Sequence, residues 1–246
     1  RSILQRNTYE MFYINKTVAF SEVGPDSKIK ITDLTDYFQD VCTFQSDKLG
    51  VGMDPLKERG FGWVASSWQI VVSRYPRLGE KVRVGTAPYE FKGVMGMRNF
   101  VLETEDGERM AVANSIWSFV DIANMTLARI PADIAGAYDP EEKIDMDYAP
   151  RKIKIPEELA ALTPIEVKYH NLDSNDHVNN AQYISMAEDL AEAGRRARQI
   201  RVEYRASARR GDIIMPYVNE NYTDGIITVV LSDQDMNPYV LVEFTL

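Results

Sequence analysis

Hydrophobic residues recur along this chain at two spacings, and the same switch between them occurs twice. From Thr8 to Phe20 (TYEMFYINKTVAF) aromatic and β-branched residues crowd a run that reads as strand. Gly24-Pro25-Asp26 is a turn signal. From Lys30 onward Ile31, Leu34, Phe38, Val41, Cys42 and Leu49 fall at helical spacing, which predicts a helix capped by Thr32 or Asp33 and ended by Gly50 and Gly52. Residues 50–62 read as a polar loop. Four strands are then predicted over 63–74, 81–91, 97–104 and 109–121, with turns at 76–79, 92–96 and 105–108.

Residues 138–162 carry three prolines, many charges and no period, and read as a linker along the surface. After it the order returns: a short strand at 164–169, a helix over 180–195, then strands at 200–206, 212–221, 226–232 and 239–246. Arg77-Leu78-Gly79-Glu80 in the first half has a counterpart in Arg209-Arg210-Gly211-Asp212 in the second. The pattern predicts an α+β protein in which one unit, an antiparallel sheet wrapped around a helix, is used twice. The units span residues 1–138 and 163–246, with 139–162 between them, and the second carries the candidate chemistry.

Composition narrows the function classes. With 246 residues, 45% of them hydrophobic, the chain can bury a large core. It has no run of about 18 apolar residues to span a membrane and no apolar signal core at its start. It does not begin with Met, as a trimmed or engineered start would not. A single cysteine, Cys42, excludes an internal disulfide and suits a reducing cytoplasm. It sits on the helix's apolar face and reads as a small buried hydrophobe. A net charge of −9 argues against general nucleic-acid binding. The charge is uneven, however. Arg195, Arg196, Arg198, Arg201, Arg205, Arg209 and Arg210 face only Glu203 as an acid in that stretch, a basic island suited to an anionic partner or a solvated helix end.

The candidate chemistry lies in NLDSNDHVNNAQY, residues 171–183. His177 is one of only two histidines, with Asp173 and Asn175 before it at steps of two. In an extended segment those three side chains share a face. A helix beginning just after them offers the unpaired N–H groups of Val178, Asn179 and Asn180 as donors. The first half has SEVGPDSKIKITD at this place, without histidine, so it is freer to form a binding wall; Met53, Trp63, Trp68, Met95 and Met97 are candidates to line an apolar pocket. His170 reads as structural. A calcium loop is rejected, since Val178 stands where glycine and Ile184 where glutamate would be needed. Two histidines and one distant cysteine do not make a zinc site, and there is no GxSxG elbow.

Asp173, Asn175, His177, Val178, Asn179, Asn180 and Tyr183 meet a D-x-N-x-H-V-N-N-x-x-Y pattern that resembles the active-site motif of the acyl-acyl-carrier-protein thioesterases of plant plastids and their bacterial relatives. Glu203-Tyr204-Arg205 and Pro150-Arg151-Lys152-Ile153 resemble that family's following strand and inter-half linker. The resemblance implies a tandem hotdog fold, each half a curled sheet around a long helix. It also implies an acidic acyl carrier protein as partner, which would meet Arg195, Arg196, Arg198, Arg201, Arg209 and Arg210. No cofactor is expected. A tandem repeat already supplies the pairing that single hotdogs gain by dimerising, so monomer and homodimer both stay open. Family members carry Glu, and in plants Cys, where this chain has Ser207 and Ala208, so a cysteine nucleophile is excluded there and Ser207 is left to position water.

The expected reaction is hydrolysis of a fatty acyl thioester. Asp173 attacks or activates water, His177 shuttles protons and Asn175 holds water or imidazole. Two other readings keep the fold: an acyl-CoA thioesterase, and a non-catalytic acyl-binding protein.

Overall fold

The computed structural model describes residues 11–221 and 224–246; the predicted strand positions 8–10 lie outside them. Twelve strands and four α-helices follow in order among the described residues. In the first half β1 (Phe12–Thr17) leads into α1 (Ile31–Lys48) and the short α2 (Met53–Glu58). Four long strands come next: β2 (Phe61–Val72), β3 (Lys81–Lys92), β4 (Met95–Thr104) and β5 (Arg109–Asp121). They are followed by β6 (Thr126–Leu127) and α3 (Ala132–Gly136). The second half holds β7 (Ala160–Ala161), β8 (Ile165–Glu166), α4 (Asn180–Leu190), β9 (Gln199–Tyr204), β10 (Ile213–Asn221), β11 (Ile226–Ser232) and β12 (Pro238–Thr245).

The strands form one antiparallel sheet in the order β1-β3-β4-β5-β2-β9-β12-β11-β10-β7, with β6 added on β5 and β8 on β10. The halves join where β2 pairs with β9, from Ser67 opposite Glu203 to Val71 opposite Gln199. One unit, a sheet around a helix, is thus used twice within one chain, as the repeated spacing predicts, and it is the hotdog architecture that the resemblance implies.

Strand alternation sorts what each face of the sheet meets. Trp68, Ile70, Phe100, Ile200 and Val202 point toward the helices and are almost wholly buried with Leu34, Phe38, Val41, Ile184 and Ala187. Gln69, Asn99, Arg201 and Glu203, one step out of phase, face the other way, and there they hold the linker. Gln69 Nε2 donates to Asp147 O at 2.7 Å, and Tyr148 Oη donates to Asn99 Oδ1 at 2.9 Å. Arg201 donates to the carbonyls of Pro150 and Lys152, and Glu203 accepts from the Ile153 N–H. Ile153 is buried against Val230 and Leu241. The expected linker is therefore a strap laid across the sheet's outer face, pinned by buried polar side chains that would otherwise lack partners.

The repeat extends to hydrogen bonds. Gly79 N and Gly211 N, both in left-handed turns, donate to Val18 O and Val167 O, and the Glu80 and Asp212 carboxylates accept from Arg77 N and Arg209 N. Three expectations are corrected. Neither Thr32 nor Asp33 is the cap residue of α1, whose N-cap is Lys30 without a side-chain cap. The buried Glu188 carboxylate of α4 instead accepts from Ile31 N and Thr32 N at 3.2 and 3.1 Å. Residues 50–62 are not wholly loop, because Leu56 buries itself by forming α2. The second helix stops at Leu190, and the chain tightens into a 3-10 turn over Glu192–Arg196.

Candidate active site

Residues 172–178 form a closed hairpin loop instead of an extended run. Leu172 and Val178 bridge, Asp173 N donates to His177 O at 2.8 Å, and Asp176 N donates back to Asp173 O at 3.1 Å. Asp176 takes the left-handed φ of 60° that closes the turn. The alternation expected of a strand therefore does not apply to Asp173, Asn175 and His177. The Asp173 side chain folds over the turn, its Oδ1 accepting from the backbone N–H of Asn175 at 2.8 Å and of His177 at 3.4 Å, while no hydrogen bond links the three side chains to one another. One carboxylate oxygen shapes the turn. The other has no hydrogen-bond partner in the protein among the described residues. His177 is half-buried, Asn175 exposed.

The first half contains the same loop with other residues. Val23 and Ile29 bridge, Gly24 N donates to Lys28 O at 2.9 Å, Ser27 N donates to Gly24 O, and Ser27 has φ 60°. Gly24 thus stands where Asp173 does, Asp26 where Asn175 does, and Lys28 where His177 does. One backbone serves both loops, and only the second has a carboxylate at its hinge and an imidazole at its end.

The start of α4 is more fully engaged than its sequence suggests. Val178 N donates to Ala208 O at 3.0 Å and Asn179 N to Asn171 O at 2.9 Å, so these two N–H groups are not free to polarise a substrate. Asn179 is the N-cap, its side chain accepting from Ala181 N at 2.8 Å. Asn180 N has no acceptor in the protein among the described residues. Its side chain donates to Gln39 Oε1 from α1 at 3.3 Å. Ser207 is exposed, beside the Ala208 carbonyl that holds Val178.

A cavity of about 310 Å³ runs from this loop into the first half. Ser174 and Asn175 lie on its wall with Phe61, Trp63, Phe91 and Trp117. Of the five candidates for an apolar pocket, Met53, Trp63 and Met97 line it; Met95 does not, and Trp68 is plain core, stacked near Phe38 and Phe100. Cys42 also lines it, because α1 crosses to the second half's loop. Burial pushes its thiol up, although the nearby Arg98 charge pulls the other way, so it stays protonated at neutral pH. Sequence reasoning missed Asp36. On α1, beside Gln39, its carboxyl is pushed up to about 6 by burial and by the charges of Asp33 and Asp40.

The arginine island is dispersed. Arg195 pairs with Glu192, Arg196 with Asp26, Arg201 with Glu243 and Arg205 with Glu203, because turns between α4, β9 and β10 send these residues to different faces. Arg198, Arg209 and Arg210 are exposed, and the last two follow Ala208 at the base of the loop. His170 is exposed. No group of His, Cys, Asp and Glu that could hold a metal occurs among the described residues, and none of their helices is long and apolar enough to cross a membrane.

Comparison with known proteins gives two family matches: the acyl-ACP thioesterase N-terminal domain over residues 8–138 and its C-terminal domain over 155–237. The palmitoyl-acyl carrier protein thioesterase of Gossypium hirsutum chloroplasts is 26% identical over 242 residues, 89% of this chain and 58% of that protein. The chain spans about half the length of the curated relatives it matches. Among solved structures, an acyl-ACP thioesterase from Bacteroides thetaiotaomicron superposes with TM-score 0.86 at 21% identity, covering 95% of this chain and 96% of that one. The 12:0-ACP thioesterase from Umbellularia californica superposes with TM-score 0.82 at 18% identity, covering 95% and 96%.

Proposed function

Because the chain belongs to the acyl-ACP thioesterase family, we propose that it hydrolyses the thioester of a fatty acyl-acyl-carrier protein and releases the free fatty acid. The observation that carries this reading is the cavity in which aromatic rings of the first half, Phe61, Trp63, Phe91 and Trp117, meet the Asn175 loop of the second. An acyl chain lying among those rings brings its thioester to that loop.

The division of labour follows the two halves: residues 1–138 hold the chain, 163–246 act on the thioester, and 139–162 tie them together. Asp173 attacks the carbonyl or deprotonates water with the oxygen its own loop leaves free, and the turn fixes the angle of that oxygen. His177, the imidazole two residues beyond Asn175, carries the proton to the leaving thiolate. With Val178 N and Asn179 N engaged, charge on the carbonyl oxygen falls to the Asn175 amide and the Asn180 N–H. Ser207 serves as a water ligand at the loop's edge. Arg209 and Arg210, exposed beside the loop, supply the positive surface for an acidic carrier, and the paired Arg195, Arg196 and Arg201 contribute little.

Steady-state release of fatty acid from matched acyl-carrier-protein and acyl-CoA substrates over a chain-length series tests this. The expected result is a higher kcat/KM on the carrier-protein substrate. Preference for acyl-CoA would reassign the carrier, and no release above an Asp173→Asn background would leave an acyl-binding protein.

A further inference from the structure

Arg98 is the one arginine that is fully buried among the described residues, 7% exposed, and it lies on the wall of the inner cavity. It shares the helix-facing side of β4 with Phe100 and Leu102, at steps of two. Its neighbours are neutral. Nη1 donates to Gln45 Oε1 and, at 3.2 Å, to Thr86 Oγ1, and the Tyr138 ring packs 5.3 Å from the guanidinium carbon. The titratable groups facing it are the Cys42 thiol and the Tyr138 hydroxyl, both held protonated by burial. No carboxylate pairs with it among the described residues. Arg74, Arg195, Arg196, Arg201 and Arg205, all more exposed, each have at least one.

A guanidinium stays charged even when buried, and an uncompensated charge in a dry site is costly. An anion entering the cavity relieves that cost and gains charge-assisted, bidentate hydrogen bonds. The rest of the wall selects what the anion is attached to, since Phe61, Trp63, Phe91 and Trp117 offer an apolar lining that suits an alkyl chain. We propose that Arg98 makes this cavity a receptor for alkyl carboxylates, binding the chain among the rings and the carboxylate on the guanidinium. The carboxylate has two sources: the released fatty acid, or the far end of an ω-carboxyacyl chain. Only this choice of sources rests on the hydrolase reading above.

The test uses the whole chain and the fluorescence of Trp63 and Trp117, titrated at neutral pH with a saturated fatty acid and with the primary alcohol of equal length. The wild-type protein should bind the acid at least about tenfold more tightly, as one good charge-assisted pair provides. Arg98→Met should abolish that ratio and Arg98→Lys should keep part of it. Equal affinity for acid and alcohol in the wild type overturns the proposal without recourse to any variant, and so does an unchanged ratio in a folded Arg98→Met protein. Two further arms separate the sources. Competitive inhibition of hydrolysis by free fatty acid, lost in Arg98→Met, assigns the site to the product; preference for ω-carboxyacyl over plain acyl thioesters, lost in the same variant, assigns it to the substrate's far end. If no thioester is hydrolysed, the hydrolase reading fails while the acid-to-alcohol ratio still decides the proposal.

Discussion

Gln39 on α1 and Glu188 on α4 are each the ninth residue of their helix, and each reaches the first turn of the other's. Glu188 accepts from Ile31 N, Thr32 N and Thr32 Oγ1, whereas Gln39 meets the side chains of Asn179 and Asn180. The same contact made twice thus ends in an anion at the start of α1 and a neutral amide at the start of α4. A helix start already occupied by a carboxylate is a poor place for a second negative charge. The start of α4 has none, which fits its place beside the candidate site.

Removing Glu188 should expose this dependence. Glu188→Ala leaves two buried N–H groups and a hydroxyl without acceptors and should cost about 1–3 kcal/mol in urea denaturation. Glu188→Gln keeps an acceptor and removes a charge whose carboxyl burial pushes up, so at neutral pH it should fall within about 1 kcal/mol of the parent. Equal losses in both variants would show that the charge is what matters.

Asp173→Asn should separate chemistry from loop shape. The asparagine carbonyl can still accept from Asn175 N and His177 N, so the melting temperature should stay within a few degrees while kcat falls by about a hundredfold or more. Asp173→Ala should lose both. A fall of less than tenfold in a folded Asp173→Asn protein removes Asp173 from the reaction.

Asp36 gives a pH dependence with a definite sign. Its folded carboxyl, pushed up to about 6, lies above the ordinary value of 3.8, so its contribution to stability is fully present below the lower value and lost as pH rises through the upper one. Asp36→Asn should therefore stabilise the protein at pH 7 by about 1–2 kcal/mol, after allowance for the screening of a partly exposed group. Below about pH 4 the advantage should vanish. Paired denaturation curves across that range measure it.

Gly96 lines the cavity, and a Cβ there would meet the Trp63 ring at 3.1 Å and the Phe91 ring at 3.2 Å. Gly96→Val should drive those rings inward and shift preference toward shorter acyl chains. Each methylene denied burial costs about 0.8 kcal/mol, or roughly fourfold in kcat/KM. A chain-length series that falls uniformly would place the cavity elsewhere in the reaction.

Much of the fold is legible in the sequence because each strand buries one face or carries a turn at its end. The 109–121 and 226–232 runs match β5 and β11 in both bounds. What periodicity misses is long-range. Glu188 caps a helix in the other half, and no local pattern signals that. The occupied N–H groups of Val178 and Asn179 depend on Ala208 O and Asn171 O, which only the folded chain brings near. The compact turn at Asp173 looks extended from spacing alone because Asp176, at positive φ, is not a glycine. Arg98 did leave a signal: it falls in phase with Phe100 and Leu102, a charge at a core position of the predicted strand.

The pairing of β2 with β9 within a single chain has an evolutionary consequence. In a symmetric dimer every substitution appears at both sites, so neither can change its chemistry without the other. Once the halves are encoded separately, that constraint is gone. One loop can then carry Gly24 and Lys28 while its twin carries Asp173 and His177, and the half without an imidazole can specialise in shape.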